Sequence, residues 1–182
     1  GADLVWESTT KWIHGSGTTV GGVLVEDGTF PWEDRPEKYP EIARESPAFE
    51  GRTFADEFDA PFAVAARQRA VRSLGDGQKP FDAWATMQGA ETLALRMERH
   101  CENARRVAEF LADHDEVAWV NYPGLADHET HDAARRYLDG GFGGMVTFGL
   151  AGGYDAAVEL CEETDLAQFL ANIGDAKTLV TH

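Results

Sequence analysis

Gly1-Ala2-Asp3-Leu4-Val5-Trp6-Glu7-Ser8-Thr9-Thr10-Lys11-Trp12-Ile13-His14-Gly15-Ser16-Gly17-Thr18-Thr19-Val20-Gly21-Gly22 opens the chain. Ala2 to Trp6 predicts a short buried strand that runs into a polar cluster and then a glycine-rich loop. Ser8 and Thr10 stand two positions apart, so an extended or turning backbone can aim both hydroxyls the same way. Together with nearby backbone N–H groups they can bind a phosphate. Lys11 beside them can form a Schiff base with an aldehyde, and it is the better nucleophile once desolvated. The glycines that follow let the backbone pass close to a bulky ligand.

Four residues alone do not select that chemistry. Ser8-Thr9-Thr10-Lys11 also describes a surface loop with one solvated lysine. S-x-x-K is moreover the nucleophile motif of penicillin-binding proteins and serine β-lactamases, with Ser8 attacking and Lys11 as its partner. That chemistry also needs S-D-N, which the chain lacks, and K-T-G, approached only by Lys177-Thr178-Leu179.

Outward from this segment, the chain has 182 residues with 16 Lys plus Arg against 32 Asp plus Glu, a formal net charge of −16. Such an excess repels phosphate backbones and anionic lipids, which argues against nucleic acid or membrane as partners. The acidity is spread along the chain and reads as a solvated surface, consistent with a halophilic source, where salt screens the self-repulsion. Cys101 and Cys161 are the only cysteines, far apart. They suggest no disulfide framework and no zinc site, and fit a reducing cytoplasm. No apolar run is long enough to cross a bilayer. With Gly1 first and His182 last, both ends are expected to be cut from a longer protein.

Val23-Leu24-Val25 predicts a second strand, and Asp27-Gly28 a turn. From Phe30 to about Pro61 no period dominates, which predicts an ordered surface insertion anchored by its aromatics. Phe62 to Ser73 is helical in character and Gly75-Asp76-Gly77 ends it. Apolar residues at three- and four-residue steps predict a long helix from about Asp82 to Ala112, kinked near Gly89. Then come a strand at Val117–Tyr122, a helix at His131–Leu138, a strand at Phe142–Leu150, a helix at Tyr154–Glu163 and a strand-like Phe169–Gly174.

The longer string resembles the cofactor-lysine segment of the Cys/Met-metabolism enzymes that use pyridoxal 5'-phosphate (PLP), most of all their O-acetylhomoserine sulfhydrylase branch. Three further stretches resemble the same enzymes in the same order: Gln88-Gly89-Ala90-Glu91-Thr92-Leu93-Ala94-Leu95-Arg96-Met97-Glu98-Arg99-His100, Val120-Asn121-Tyr122-Pro123-Gly124-Leu125, and Leu170 to Val180. A long insertion between Asp27 and Pro80 is typical of the sulfhydrylases. The resemblance implies an α/β fold of the aspartate-aminotransferase type, fold type I. Residues 1–100 would end the large PLP-binding domain, with an insertion at about 26–80, and residues 101–182 would supply much of the small C-terminal α+β domain. It implies γ-replacement on O-acetyl-L-homoserine by sulfide or a thiol, giving homocysteine or methionine and acetate. Cystathionine γ-synthase, methionine γ-lyase and a non-catalytic remnant are the alternatives.

By the same resemblance Lys11 is the catalytic, Schiff-base lysine and proton shuttle, Ser8 and Thr10 hold the cofactor phosphate, and Asn172 contacts the substrate carboxylate. No metal is implied, and the full enzyme is a homotetramer of dimers that share active sites. Ser16 stands where the family often has His. The acidic partner of the pyridine nitrogen, the stacking aromatic and the carboxylate-clamping arginine would all lie outside these residues, so the isolated segment is expected to be weak or inactive.

Elsewhere, His128 and His131 with Asp127, Glu129 and Asp132 admit a metal cluster, but a solvated polar loop is the simpler expectation. Arg96, Arg99, Arg105 and Arg106 are expected to pair with carboxylates. Met87 and Met97 are expected in the core, the tryptophans in packing, with Trp12 a candidate pocket wall. His14 and His100 are expected to be structural.

Overall fold

The computed structural model describes residues 1–182, the side chain of Ala48 excepted. The chain divides into two compact units, one of Gly1–Thr9 and Val20–Trp84, the other of Thr10–Thr19 and Ala85–His182.

In the first unit β1 (Leu4–Glu7) and β2 (Val23–Glu26) form an antiparallel ribbon, with Leu4 opposite Glu26 and Glu7 opposite Val23. β1 is not the buried strand its sequence suggests, since three of its four residues are exposed and Trp6 is 83% exposed. It pairs with β2 alone, and although Leu4 packs on the core, the two-stranded ribbon leaves Val5 and Trp6 uncovered. Short helices follow: α1 (Pro40–Ala43), α2 (Phe54–Glu57) and α3 (Pro61–Ala66).

The aromatics of the insertion do not merely anchor it. Trp32, Ile42, Phe54 and Ala65 are the buried core of this unit. Trp32 stacks on Phe62 and meets Tyr39 edge-on at centroid distances of 5.6 and 5.0 Å. Glu26 ties the ribbon to this core. One carboxylate oxygen accepts from Trp32 Nε1 and the other from the Ala63 N–H, each at 2.9 Å. The second bond satisfies one of the amides that the start of α3 leaves without a helical acceptor. Beyond α3 the helix widens into π turns over Arg67–Leu74, closed by Gly75 at φ 79°.

The long helix is two helices, α4 (Pro80–Ala90) and α5 (Leu93–Ala112). In place of the helical bond across the break, the Gly89 carbonyl accepts from Thr92 Oγ1 at 3.2 Å and from Arg96 Nη2 at 2.8 Å. In the second unit β3 (Val117–Asn121) pairs antiparallel with β4 (Thr147–Leu150), with α6 (His131–Tyr137) between them in sequence. β4 is shorter than its sequence suggests: residues 142–146 are not strand, and Gly143 among them sits at φ 85°. α7 (Gly153–Glu163) follows.

Strand structure at the end of the chain covers only β5 (Gln168–Phe169), parallel to β6 (Leu179–Val180). Leu170–Gly174 is loop. The core of this unit is Ala104, Ala108 and Tyr122, the tyrosine fully buried with its hydroxyl donating to Gly143 O at 3.2 Å. Met87, expected in the core, is 67% exposed. Trp84 and Trp119 are also more than half exposed. Among the described residues, no helix is long and apolar enough to cross a membrane.

Candidate active site

Within the second unit, β5 and β6 pinch a loop at its base, where the Gln168 N–H donates to Thr178 O at 2.9 Å. The loop they hold, residues 170–178, carries Asn172 and Asp175. Lys11 lies on a turn closed by the Gly15 N–H donating to its carbonyl at 2.8 Å. Two hydrogen bonds join turn and loop. Lys11 Nζ donates to Asn172 Oδ1 at 3.2 Å, and the Ala176 N–H donates to Gly15 O at 3.0 Å.

Asn172 is itself held. Its Nδ2 donates to Asp175 Oδ2 at 3.1 Å, and Asp175 Oδ1 accepts from the Lys177 N–H at 3.0 Å. Asp175 is buried, which by itself raises a carboxyl pKa. The Lys177 N–H, the Asn172 amide, the Lys177 charge and the Ala176 N–H outweigh that and hold it below the ordinary 3.8. It is therefore ionised at neutral pH. Two glycines permit the close fit. A Cβ on Gly17, at φ 64°, would overlap Asn172 Nδ2, and one on Gly174 would lie 2.6 Å from the Trp12 nitrogen.

The turn is gripped from the helix side by Arg96. Its Nη1 donates to Trp12 O at 2.8 Å and its Nη2 to Ile13 O at 3.0 Å and to Gly89 O at 2.8 Å, while Nε donates to Thr92 Oγ1 at 3.1 Å. Arg96 thus departs from the expected carboxylate pairing. Arg99 pairs with Glu102, and Arg105 with Glu109, as expected. Arg96 and Asp175 are the two residues that sequence reasoning missed as parts of the site. Both lay inside quoted stretches, but a main-chain carbonyl cluster leaves no trace in side-chain spacing.

His14 is buried and structural. Ala85 O can only accept, so Nδ1 carries the proton at 3.2 Å, and Nε2 faces the Ser16 and Thr18 hydroxyls at 2.7 Å each, which lie 3.2 Å from one another. Ser16 therefore serves the loop's own network. His100 packs edge-on against Trp12, and burial followed by the Arg96 charge holds its pKa below 6.5. His128 is taken up by Asn121 Oδ1 at 2.6 Å and His131 by Pro123 O at 2.9 Å.

Lys11 opens on a cavity of about 560 Å³ whose wall includes Thr147, Phe148, Asn172, Ile173 and Thr181. That volume lies in the range of small-molecule sites. Trp12 instead lines an adjoining cavity of about 490 Å³ with His100 and Lys177, the two cavities sharing Met145 and Phe148 in their walls. Thr10 is half-buried, whereas Ser8, in the first unit, is exposed. A primary amine beside an amide acceptor in a cavity of that size fits an aldehyde-bearing cofactor. In the first unit, Thr9 Oγ1 is buried with no hydrogen-bond partner among the described residues.

The sequence model of the Cys/Met metabolism PLP-dependent enzymes matches residues 1–182. The chain belongs to this family. It is 44% identical over 181 residues to homocysteine synthase of Schizosaccharomyces pombe, covering 99% of this chain and 42% of that protein. It is 43% identical over 183 residues to O-acetyl-L-homoserine sulfhydrylase 1 of Thermus thermophilus, covering 100% of this chain and 43% of that one.

Among solved structures, a Campylobacter jejuni protein assigned as an O-acetylhomoserine (thiol)-lyase, and carrying N'-pyridoxyl-lysine-5'-monophosphate, matches with a TM-score of 0.91 at 33% identity. The match covers the whole of this chain and 45% of that one. Cystathionine γ-synthase of Xanthomonas oryzae matches with a TM-score of 0.73 at 31% identity, covering 100% and 38%. The fold is the expected α/β fold type I. The chain spans less than half the length of these relatives.

Proposed function

We propose that these residues supply the cofactor lysine and part of the substrate site of a PLP-dependent γ-replacement enzyme that acts on O-acetyl-L-homoserine with sulfide or a thiol. The observation that carries this reading is the Lys11 amine held on Asn172 Oδ1 at the wall of a ligand-sized cavity. When bound there, PLP supplies an electron sink, so that Cα and Cβ can lose protons, acetate can leave from Cγ and sulfur can replace it. Lys11 Nζ is assigned to bind the cofactor aldehyde and, once displaced, to move those protons. Ser8 and Thr10 are the hydroxyls assigned to the phosphate, and Asn172 is assigned to the substrate carboxylate.

The sulfhydrylase branch is supported by shape. At nearly equal identity the TM-score is 0.91 to the (thiol)-lyase and 0.73 to the cystathionine γ-synthase. Residues 1–100 are assigned to the large domain and 101–182 to the small one. A cytoplasmic place rests on the two free cysteines, and a homo-oligomer on Trp6 and Leu95, which the chain leaves 83% and 71% exposed.

Borohydride reduction after incubation with PLP, then peptide mass spectrometry, tests the central assignment. Label confined to Lys11, and lost in Lys11→Ala, is the expected result. Label spread equally over Lys38, Lys79 and Lys177 would overturn it. Turnover of O-acetyl-L-homoserine with sulfide, set against cysteine as the sulfur donor, separates sulfhydrylase from cystathionine γ-synthase.

A further inference from the structure

Lys11 and Asp175 make opposite demands on the side chain between them. An ammonium group only donates hydrogen bonds and an ionised carboxylate only accepts them. Asn172 meets Lys11 at 3.2 Å and Asp175 at 3.1 Å. Of the two ways its amide can face, only Oδ1 toward Lys11 with Nδ2 toward Asp175 satisfies both neighbours. With Nδ2 toward Lys11, two donors would meet at one end and two acceptors at the other.

Asp175 is in turn fixed by the Lys177 N–H at 3.0 Å, and its own N–H donates to Asn172 O at 3.3 Å, so residues 172–177 form one hydrogen-bonded turn. We propose that Asp175 is a positioning residue that sets the polarity of the Asn172 amide. This aims Oδ1 at Lys11 and keeps the second Nδ2 hydrogen for the substrate carboxylate. Asp175 takes one of the two N–H donors on Nδ2, which leaves one for an incoming acceptor. The lysine half of the proposal is a property of the chain itself, and the carboxylate half rests on the functional reading above.

The lysine half is tested on the intact protein without cofactor, by the rate at which an N-hydroxysuccinimide ester acylates Lys11, followed by peptide mass spectrometry. Asp175→Asn keeps the shape but can donate as well as accept, so the amide of Asn172 is no longer locked. Lys11 labelling should accelerate by about threefold to tenfold, the worth of one neutral hydrogen bond. Asp175→Ser, which can still accept from the Lys177 N–H, should do the same, so the test survives if one variant folds poorly. In an Asn172→Ala background, already fast, Asp175→Asn should add nothing.

An unchanged rate in both Asp175 variants overturns the proposal. So does an acceleration that persists in the Asn172→Ala background, because Asp175 would then act by loosening the loop. On the holoenzyme, Asp175→Asn should raise KM for the amino-acid substrate severalfold, with kcat within about twofold. A fall in kcat at unchanged KM overturns the carboxylate half. Borohydride trapping of wild-type Lys11 uses no Asp175 variant, so failure of the functional reading is seen separately.

Discussion

Arg96 spends its guanidinium on main-chain oxygens of Trp12, Ile13 and Gly89, not on any carboxylate. Hydrogen bonds from a charged donor contribute about 1.5–3 kcal/mol each, and a lost partner leaves part-buried carbonyls unsatisfied. Lysine keeps the charge but cannot span three acceptors with one planar fork. Arg96→Lys is therefore expected to cost about 2 kcal/mol, or roughly 4–8 °C in Tm by calorimetry, where an exposed ion pair would cost under 1 kcal/mol. Gly17→Ala probes the other side of the turn. Its Cβ would overlap Asn172 Nδ2, and φ 64° suits glycine. Labelling of Lys11 should rise in that variant, and an unchanged rate would mean that Asn172 does not depend on the Gly17 approach. Ser8-Thr9-Thr10-Lys11 alone left Lys11 open between a Schiff-base lysine, a serine-enzyme partner and a solvated loop residue, and only the longer resemblance singled it out. Asp175 was singled out by neither, because its role depends on a contact with Asn172 and on the polarity forced by Lys11, 164 positions away in the chain.

At the scale of elements, local pattern located most helices and strands but misjudged which faces are covered. The three- and four-residue steps of α4 and α5 predict one kinked helix with Met87 inside. The break falls at Glu91 and Thr92, where the Gly89 carbonyl turns to Thr92 and Arg96, and Met87 faces outward. Periodicity marks an apolar face but not what lies against it. Gly89 shows the same limit, since in a helix Ala is favoured over Gly by about 1 kcal/mol. Yet a Cβ there would overlap His14 O. Gly89→Ala should therefore destabilise the fold by about 2 kcal/mol in urea melts, overpacking outweighing propensity. A stabilised variant would mean that the turn and the end of α4 are not in fixed contact.

For the whole molecule, charge and pH give two expectations. With a net charge of −16, self-repulsion opposes the compact state. Raising KCl from about 0.1 to about 1 M shortens the Debye length from about 10 to about 3 Å and should raise Tm. A flat or falling Tm would remove the argument for a salt-adapted protein. His100 has a folded pKa below 6.5, so the unfolded chain binds the proton more readily. Its contribution is fully present above about pH 6.5 and is lost as pH falls through the folded pKa. His100→Gln should flatten the decline of the urea midpoint between pH 7 and 5, and a variant with the wild-type slope would clear His100 of that role.

The hydrogen bond between Lys11 and Asn172 joins residues 161 positions apart. At about 5–20 residues per second, a ribosome would expose the amine roughly 8–30 s before the amide that receives it exists. During that interval the lysine is an ordinary nucleophile on a nascent chain, open to any aldehyde in the cell. The pairing of that amine with its acceptor thus cannot form before Asn172 has been made, and chaperones that shield the growing chain would also be guarding its chemistry.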